Sequence, residues 1–161
     1  MSESDARTID ELLDGMPICM FTTITDEGSP RSVPMARQET ELDPQQLWFI
    51  TARDTEHTQD LRARPHVTLS FSSSDTWVSL TGRAEVVDDV DKLRELWTSF
   101  AEAWLPEGPE GDNSTLLRVT VDRAEFWDTP GGRVASVISL VKTKLTGDTY
   151  DARHGVVKPN D

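Results

Sequence analysis

Cysteine is almost absent from this 161-residue chain, with Cys19 its single example, so no disulfide forms within the chain and no cysteine metal cluster can be built. Cys19 lies in an apolar, strand-like run from Pro17 to Ile24, where a buried and inert thiol is expected. Basic residues are also scarce: 16 Lys and Arg stand against 29 Asp and Glu, a formal net charge of −13 and a pI near 4.5. A nucleic-acid backbone or an anionic membrane surface calls for a broad basic footprint, so both are argued against as partners. A small anionic ligand needs only a local positive spot, and the acidity itself reads as a solubility feature. No apolar run approaches the roughly 20 residues of a bilayer span. The polar, acidic start Met-Ser-Glu-Ser-Asp-Ala-Arg lacks the features of a secretory signal, which makes the cytoplasm the expected compartment. The three histidines are scattered and none sits at ligand spacing from a carboxylate, so no metal site is expected. Neither a Gly-x-Ser-x-Gly elbow nor a Gly-x-Gly-x-x-Gly turn occurs.

What remains is a globular composition, 36 % hydrophobic and 28 % charged, of a length that suits one domain over residues 1–161. Its core is expected over about 8–141, followed by a polar tail over about 142–161. Thr8 to Gly15 reads as a short helix with Thr8 and Glu11 as a capping box and Gly15 as its stop. Pro17 to Thr25 and Pro30 to Gln38 read as a hairpin around Asp26-Glu-Gly-Ser, with Gly28 supplying positive φ. Pro34 removes a ladder donor, which places its segment at an edge or a bulge. Leu47 to Thr51 is a short buried strand, Thr55 to Ala63 a helix ended by Arg64-Pro65, and Val67 to Phe71 an alternating strand. Thr76 to Asp88 is a longer strand in which Gly82 marks a bulge or a close backbone approach. Val90 to Trp104 reads as one helix, Leu116 to Trp127 as a strand, and 133–141 as a last strand or helix. Strands outnumber helices and hairpin spacing dominates. The fold class is therefore β-dominated α+β, a small closed or split barrel with flanking helices rather than a doubly wound parallel sheet.

Within that frame the turn from Thr51 to Thr58 gathers hydroxyls, Arg53 and His57 where a strand ends and a helix begins. Unpaired helix amides, the helix dipole and the hydroxyls suit such a corner to a phosphate.

Four segments, in this order and spacing, resemble the flavin-binding split-barrel proteins related to pyridoxamine 5′-phosphate oxidase, and among them the general stress protein 26 group. They are Gly28-Ser-Pro-Arg-Ser-Val-Pro-Met, Leu47-Trp-Phe-Ile-Thr, Leu61-Arg-Ala-Arg-Pro-His-Val-Thr-Leu-Ser-Phe, and Trp104-Leu-Pro-Glu-Gly with Ala124-Glu-Phe-Trp-Asp. The resemblance covers the chain from Ile9 to about Trp127. It implies a six-stranded antiparallel Greek-key barrel that binds FMN at the interface of a homodimer. By position it implies that Val33, Pro34, Met35 and Ala36 run along the flavin ring. Ile50 and Thr51 would flank the ribityl chain and phosphate, and Thr55, Glu56 and His57 would occupy the phosphate motif. Trp104 and Trp127 would be the aromatics near the ring, one from each subunit.

Two departures qualify what the resemblance implies. The basic pair of the phosphate motif is replaced by Glu56 and His57, with Arg53 nearby as a compensating cation, which admits FAD or the deazaflavin F420 as alternatives to FMN. No arginine-bearing signature of the true oxidase follows Trp127, so oxidation of pyridoxamine phosphate itself is not expected. The function read from the sequence is a flavin-binding oxidoreductase with hydride transfer through flavin N5. The alternative is a flavin carrier or stress-linked sensor without turnover. No side-chain acid or base is identified.

Overall fold

Burial alternates residue by residue along the strands of the computed structural model, which describes residues 9–38, 46–128 and 154–157. The elements run α1 (9–12), β1 (Ile18–Ile24), β2 (Pro30–Gln38), β3 (Gln46–Ala52), α2 (Glu56–Ala63), β4 (His66–Ser72), β5 (Thr76–Val87), α3 (Val90–Leu96), α4 (Ser99–Trp104), β6 (Ser114–Asp128) and β7 (His154–Val157). The strand order is β3-β2-β1-β4-β5-β6, every pairing is antiparallel, and β6 returns to β3. The result is a closed six-stranded antiparallel barrel. Strand β4 comes back beside β1 after the β1–β2–β3 meander, which is the Greek-key order.

The inward residues fill the ring. Cys19 and Phe21 from β1, Leu69 and Phe71 from β4, and Val78 and Leu80 from β5 are buried together with Phe49 and Phe126. Phe21 and Phe49 meet edge to face, ring centres 5.3 Å apart. Each such side chain contributes about 1.5–3 kcal/mol by leaving water. Cys19 is buried as its company implied, and burial pushes its thiol up to about 12, so it stays protonated. Ile9, Leu12 and Leu13 of the N-terminal helix join the same core. Gly15 follows at φ 75°, and Gly28 turns the β1–β2 hairpin at φ 81°. A second apolar cluster lies outside the ring, where Leu93 and Leu96 of α3 cover Trp48 of β3 and Leu116 of β6.

Two expectations are corrected. Residues 90–104 do not form one helix: Trp97 is extended (ψ 131°), and Thr98 restarts the chain as the N-cap of α4, its hydroxyl accepting from the Ala101 amide at 3.3 Å. The apolar spacing continues through the break, which is why periodicity alone does not reveal it. The tail beyond residue 142 is not wholly unspecified either, since 154–157 pair with Ala124–Trp127 of β6. The cap expected at Thr8 and the element expected at 133–141 fall outside the described residues.

Pro34 sits at a sheet edge and not at a bulge, because the β1–β2 register is continuous. The Arg37 amide donates to Pro17 O at 2.8 Å, so alternate residues 33, 35 and 37 turn their backbone groups to β1. Pro34 and Ala36 turn theirs away, and the missing proline N–H costs no ladder bond.

At Gly82 the β5–β6 register shifts, and the backbone also approaches closely: a Cβ there would lie 2.2 Å from Thr120 O. Gly82→Ala is expected to lower stability by about 1–3 kcal/mol through forced backbone displacement. Thermal unfolding measures this, and a variant melting with the parent would show that the bulge relaxes freely.

Candidate functional site

The ring is parted along one seam. β2 and β3 are in register only at Arg37↔Phe49 and Gln38↔Trp48. Beyond those pairs the strands diverge, and the gap is a cleft of about 570 Å³. That volume lies within the range of small-molecule and cofactor sites. One wall is Val33, Pro34, Met35 and Ala36 of β2; the other is Ile50, Thr51 and Ala52 of β3. Ile18 of β1 and Phe100, Ala101 and Trp104 of α4 border it, with Leu105 behind. The break at Trp97–Thr98 redirects the chain and sets α4 at this mouth. There Phe100 and Trp104, four residues apart, stand with ring centres 6.5 Å apart and are 52 % and 74 % exposed.

The walls are apolar, and Gln38, near the joined end of the seam, spends its side-chain amide on Ala36 O at 3.2 Å. The other polar side chains, Thr51, Thr55 and His57, collect where β3 runs into α2. His57 Nε2 lies 2.9 Å from Thr51 Oγ1 and 3.2 Å from Thr55 Oγ1. Thr55 and Thr58 both donate to Ala52 O, at 3.0 and 2.8 Å, tying the strand end to the first helical turn. Thr55 holds the N-cap backbone position, but its hydroxyl makes no cap hydrogen bond. The first amides of α2 thus have no side-chain cap.

Charge near this corner is already balanced. Arg53, the expected compensating cation, is ion-paired with Asp88 and donates to Asp112 O at 2.8 Å, which fastens the end of β3 to the start of β6. Asp88 is held below the usual carboxylate range by that pairing. Arg31 of β2 donates to the buried Asp60 carboxylate at 2.9 Å and lies 3.5 Å from Glu56. Asp60 also accepts from Thr23 at 3.3 Å, so these contacts clip α2 to the hairpin. His57 is pushed below its ordinary value, first by burial and then by the Arg31 charge, with Asp60 opposing. Its imidazole is therefore neutral at neutral pH.

Of the residues singled out from the sequence, Val33, Pro34, Met35, Ala36, Ile50, Thr51, Thr55, His57 and Trp104 line this cleft together. Two do not. Glu56 points to solvent and pairs with Arg31. Trp127 stands opposite Trp77 in the β5–β6 ladder, outside the cleft of its own chain. Sequence reasoning missed Ile18, Gln38, Ala52, Phe100, Ala101 and Leu105 as lining residues. Ile18 was detectable as the outward partner of the buried Cys19, and Phe100 as the residue one turn before Trp104.

Residues 4–151 match the family model described as pyridoxamine 5′-phosphate oxidase like. Among solved structures, a candidate general stress protein 26 from Jannaschia sp. CCS1 is 27 % identical. It superposes with a TM-score of 0.70 over 98 % of this chain and 99 % of that one. The general stress FMN/FAD binding protein of Xanthomonas citri is 24 % identical, with a TM-score of 0.66 over 79 % of this chain and 90 % of its own. Among curated proteins, Protein bli-3 of Neurospora crassa is 28 % identical over 138 residues, which is 80 % of this chain and 66 % of that protein. The chain thus spans just under two thirds of the length of that relative.

Proposed function

This chain belongs to the pyridoxamine 5′-phosphate oxidase-like family, and on that premise we propose that the cleft between β2 and β3 holds a flavin, with FMN as the first candidate. The observation that carries the reading is the seam itself. It is an apolar slot of about 570 Å³, edged on one side by strand groups turned away from β1 and ended by two threonines and an imidazole. The slot fits a flat aromatic ring, and the free edge at Pro34 and Ala36 fits the ring's polar rim. Thr51 and the first amides of α2 fit a phosphate as hydrogen-bond donors, with Thr55 beside them. A general stress relative is described as FMN/FAD binding, which supports the same ligand class. A bound flavin supplies hydride transfer through N5. The chain's own part is to hold the ring, exclude water with Phe100 and Trp104, and fix the phosphate end.

A cytoplasmic flavin-dependent oxidoreductase is the reading we favour. One observation keeps the carrier reading beside it: among the described lining residues His57 alone can ionise, so a side-chain acid or base for turnover is otherwise missing. The commitment of Arg31 and Arg53 to carboxylates keeps FAD and the deazaflavin F420 as alternatives. The exposed Ile18, Phe100 and Trp104 beside the cleft support a homodimer that covers them.

The test is absorbance of the purified protein from about 300 to 500 nm after incubation with FMN and desalting. Retained flavin bands that bleach with NAD(P)H support the oxidoreductase; retained bands inert to every donor favour the carrier. Failure to retain FMN, FAD and F420 alike overturns the flavin reading. Sedimentation of the same sample at twice 18.0 kDa is expected, and a monomer would remove the dimer.

A further inference from the structure

We propose that His57 gives this cleft its preference for a phosphate-bearing flavin by taking up a proton as the phosphate docks beside Thr51 and Thr55. The inference rests on the flavin reading above and adds to it the source of positive charge. Hydroxyls and backbone amides can bond a phosphate, but they carry no full charge. Two arginines near the corner are occupied, Arg53 by Asp88 and Arg31 by Asp60. Ile18 from β1 and Phe100 and Trp104 from α4 border the cleft without a titratable group. His57 is the lining side chain that can become a cation, and its Nε2 already lies within 3.2 Å of both threonine oxygens.

The hydroxyl network indicates where the proton goes. Thr55 has Ala52 O at 3.0 Å and Thr58 Oγ1 at 2.7 Å as partners for its single hydrogen, and either choice leaves its oxygen to accept. Nε2–H is then the donor of the neutral ring, and Nδ1 receives the second proton. The charged groups around the ring are Arg31 of β2, which opposes protonation, and Asp60 of its own helix, which favours it. Glu56 lies beside Arg31, and the Arg53–Asp88 pair at the end of β3 neutralises itself.

The sign follows from these placements. Burial and Arg31 keep the ring neutral in the free protein. A phosphate dianion against it favours the imidazolium, so the complex carries more protons than its separated parts. Affinity for a phosphate-bearing flavin therefore rises as pH falls through the histidine value of the complex. It levels off below that of the free protein. Each unit between the two values corresponds to about a tenfold change in affinity.

The experiment is a set of fluorescence titrations of the full chain with FMN and with riboflavin, between about pH 5.5 and 8.5. Calorimetry in two buffers of different ionisation enthalpy counts the protons taken up. FMN is expected to tighten about tenfold or more towards acid with net proton uptake, while riboflavin, which has no phosphate, stays flat. The phosphate's own second ionisation, near 6, falls in the same range, so the reading is the difference between the parent and His57→Gln. His57→Gln is expected to lose the extra acid tightening and still bind riboflavin, which also shows that it folds. His57→Lys is expected to bind FMN tightly at the alkaline end with no proton uptake. Parent and His57→Gln profiles that coincide, or FMN binding without proton uptake, overturn the proposal and leave the flavin reading intact. Failure of both riboflavin and FMN to bind removes both.

Discussion

Replacing Phe49 by alanine is expected to lower the unfolding free energy by about 3–5 kcal/mol, measured by denaturant titration. Phe49 is fully buried, and its ring meets Phe21 of β1, two strands away around the barrel. It also stands at the point where the ring is joined: its register partners are Arg37 on β2 and Leu117 on β6. The loss therefore combines an unfilled cavity with loosening of a seam that has few other contacts. Against a typical total of about 5–15 kcal/mol, such a loss removes a large share of the stability. A decrease under about 1 kcal/mol would mean that the core collapses into the space and that β3 is held by its β6 ladder alone.

Ala36→Trp is expected to weaken flavin binding by about a hundredfold or more, roughly 2.7 kcal/mol, while the melting temperature changes little. Ala36 is half-buried, borders the cleft, and lies on the edge that turns away from β1. An indole at that position enters the space between β2 and β3 without displacing any residue of the barrel core. Flavin titration by fluorescence, with thermal unfolding in parallel, separates a filled cleft from a damaged fold. Parental affinity in a fully folded Ala36→Trp protein would place the flavin somewhere other than this seam.

Local chemistry carried much of the architecture. Alternation along Val67–Phe71, the positive-φ need at Gly28 and the stop at Arg64-Pro65 each act within a few residues, and the corresponding elements are where those signals put them. The corner at Thr51, Thr55 and His57 was legible for the same reason, since a strand end, a helix start and a cluster of hydroxyls lie within eight residues of sequence. Partners far apart in sequence were not legible. Arg53 looked available for an anion because Asp88, which occupies it, is 35 residues away and arrives only when β5 closes beside β6. The resemblance put Trp104 and Trp127 near the ring, one from each subunit; α4 brings Trp104 to the cleft of its own chain, and the β5–β6 ladder holds Trp127 outside it. The break before Thr98 did leave a trace, a good N-cap residue inside a helical pattern, which apolar periodicity outweighed.

Strand β6 runs for 15 residues and is shared in sequence between two neighbours on one side, β3 over its first half and the four-residue β7 over its second. The closed ring therefore guards only part of its longest strand, and the segment near the end of the chain acts as a sheath for the remainder. Cut after Asp128, the molecule would keep all six staves of the barrel but bare the backbone of 124–127 beside the exposed indoles of Trp77 and Trp127. Such a margin is adhesive: its unsatisfied amides and carbonyls would recruit any extended peptide, including a second copy of itself. Joining a fusion or purification tag close to this sheath would thus bear on solubility.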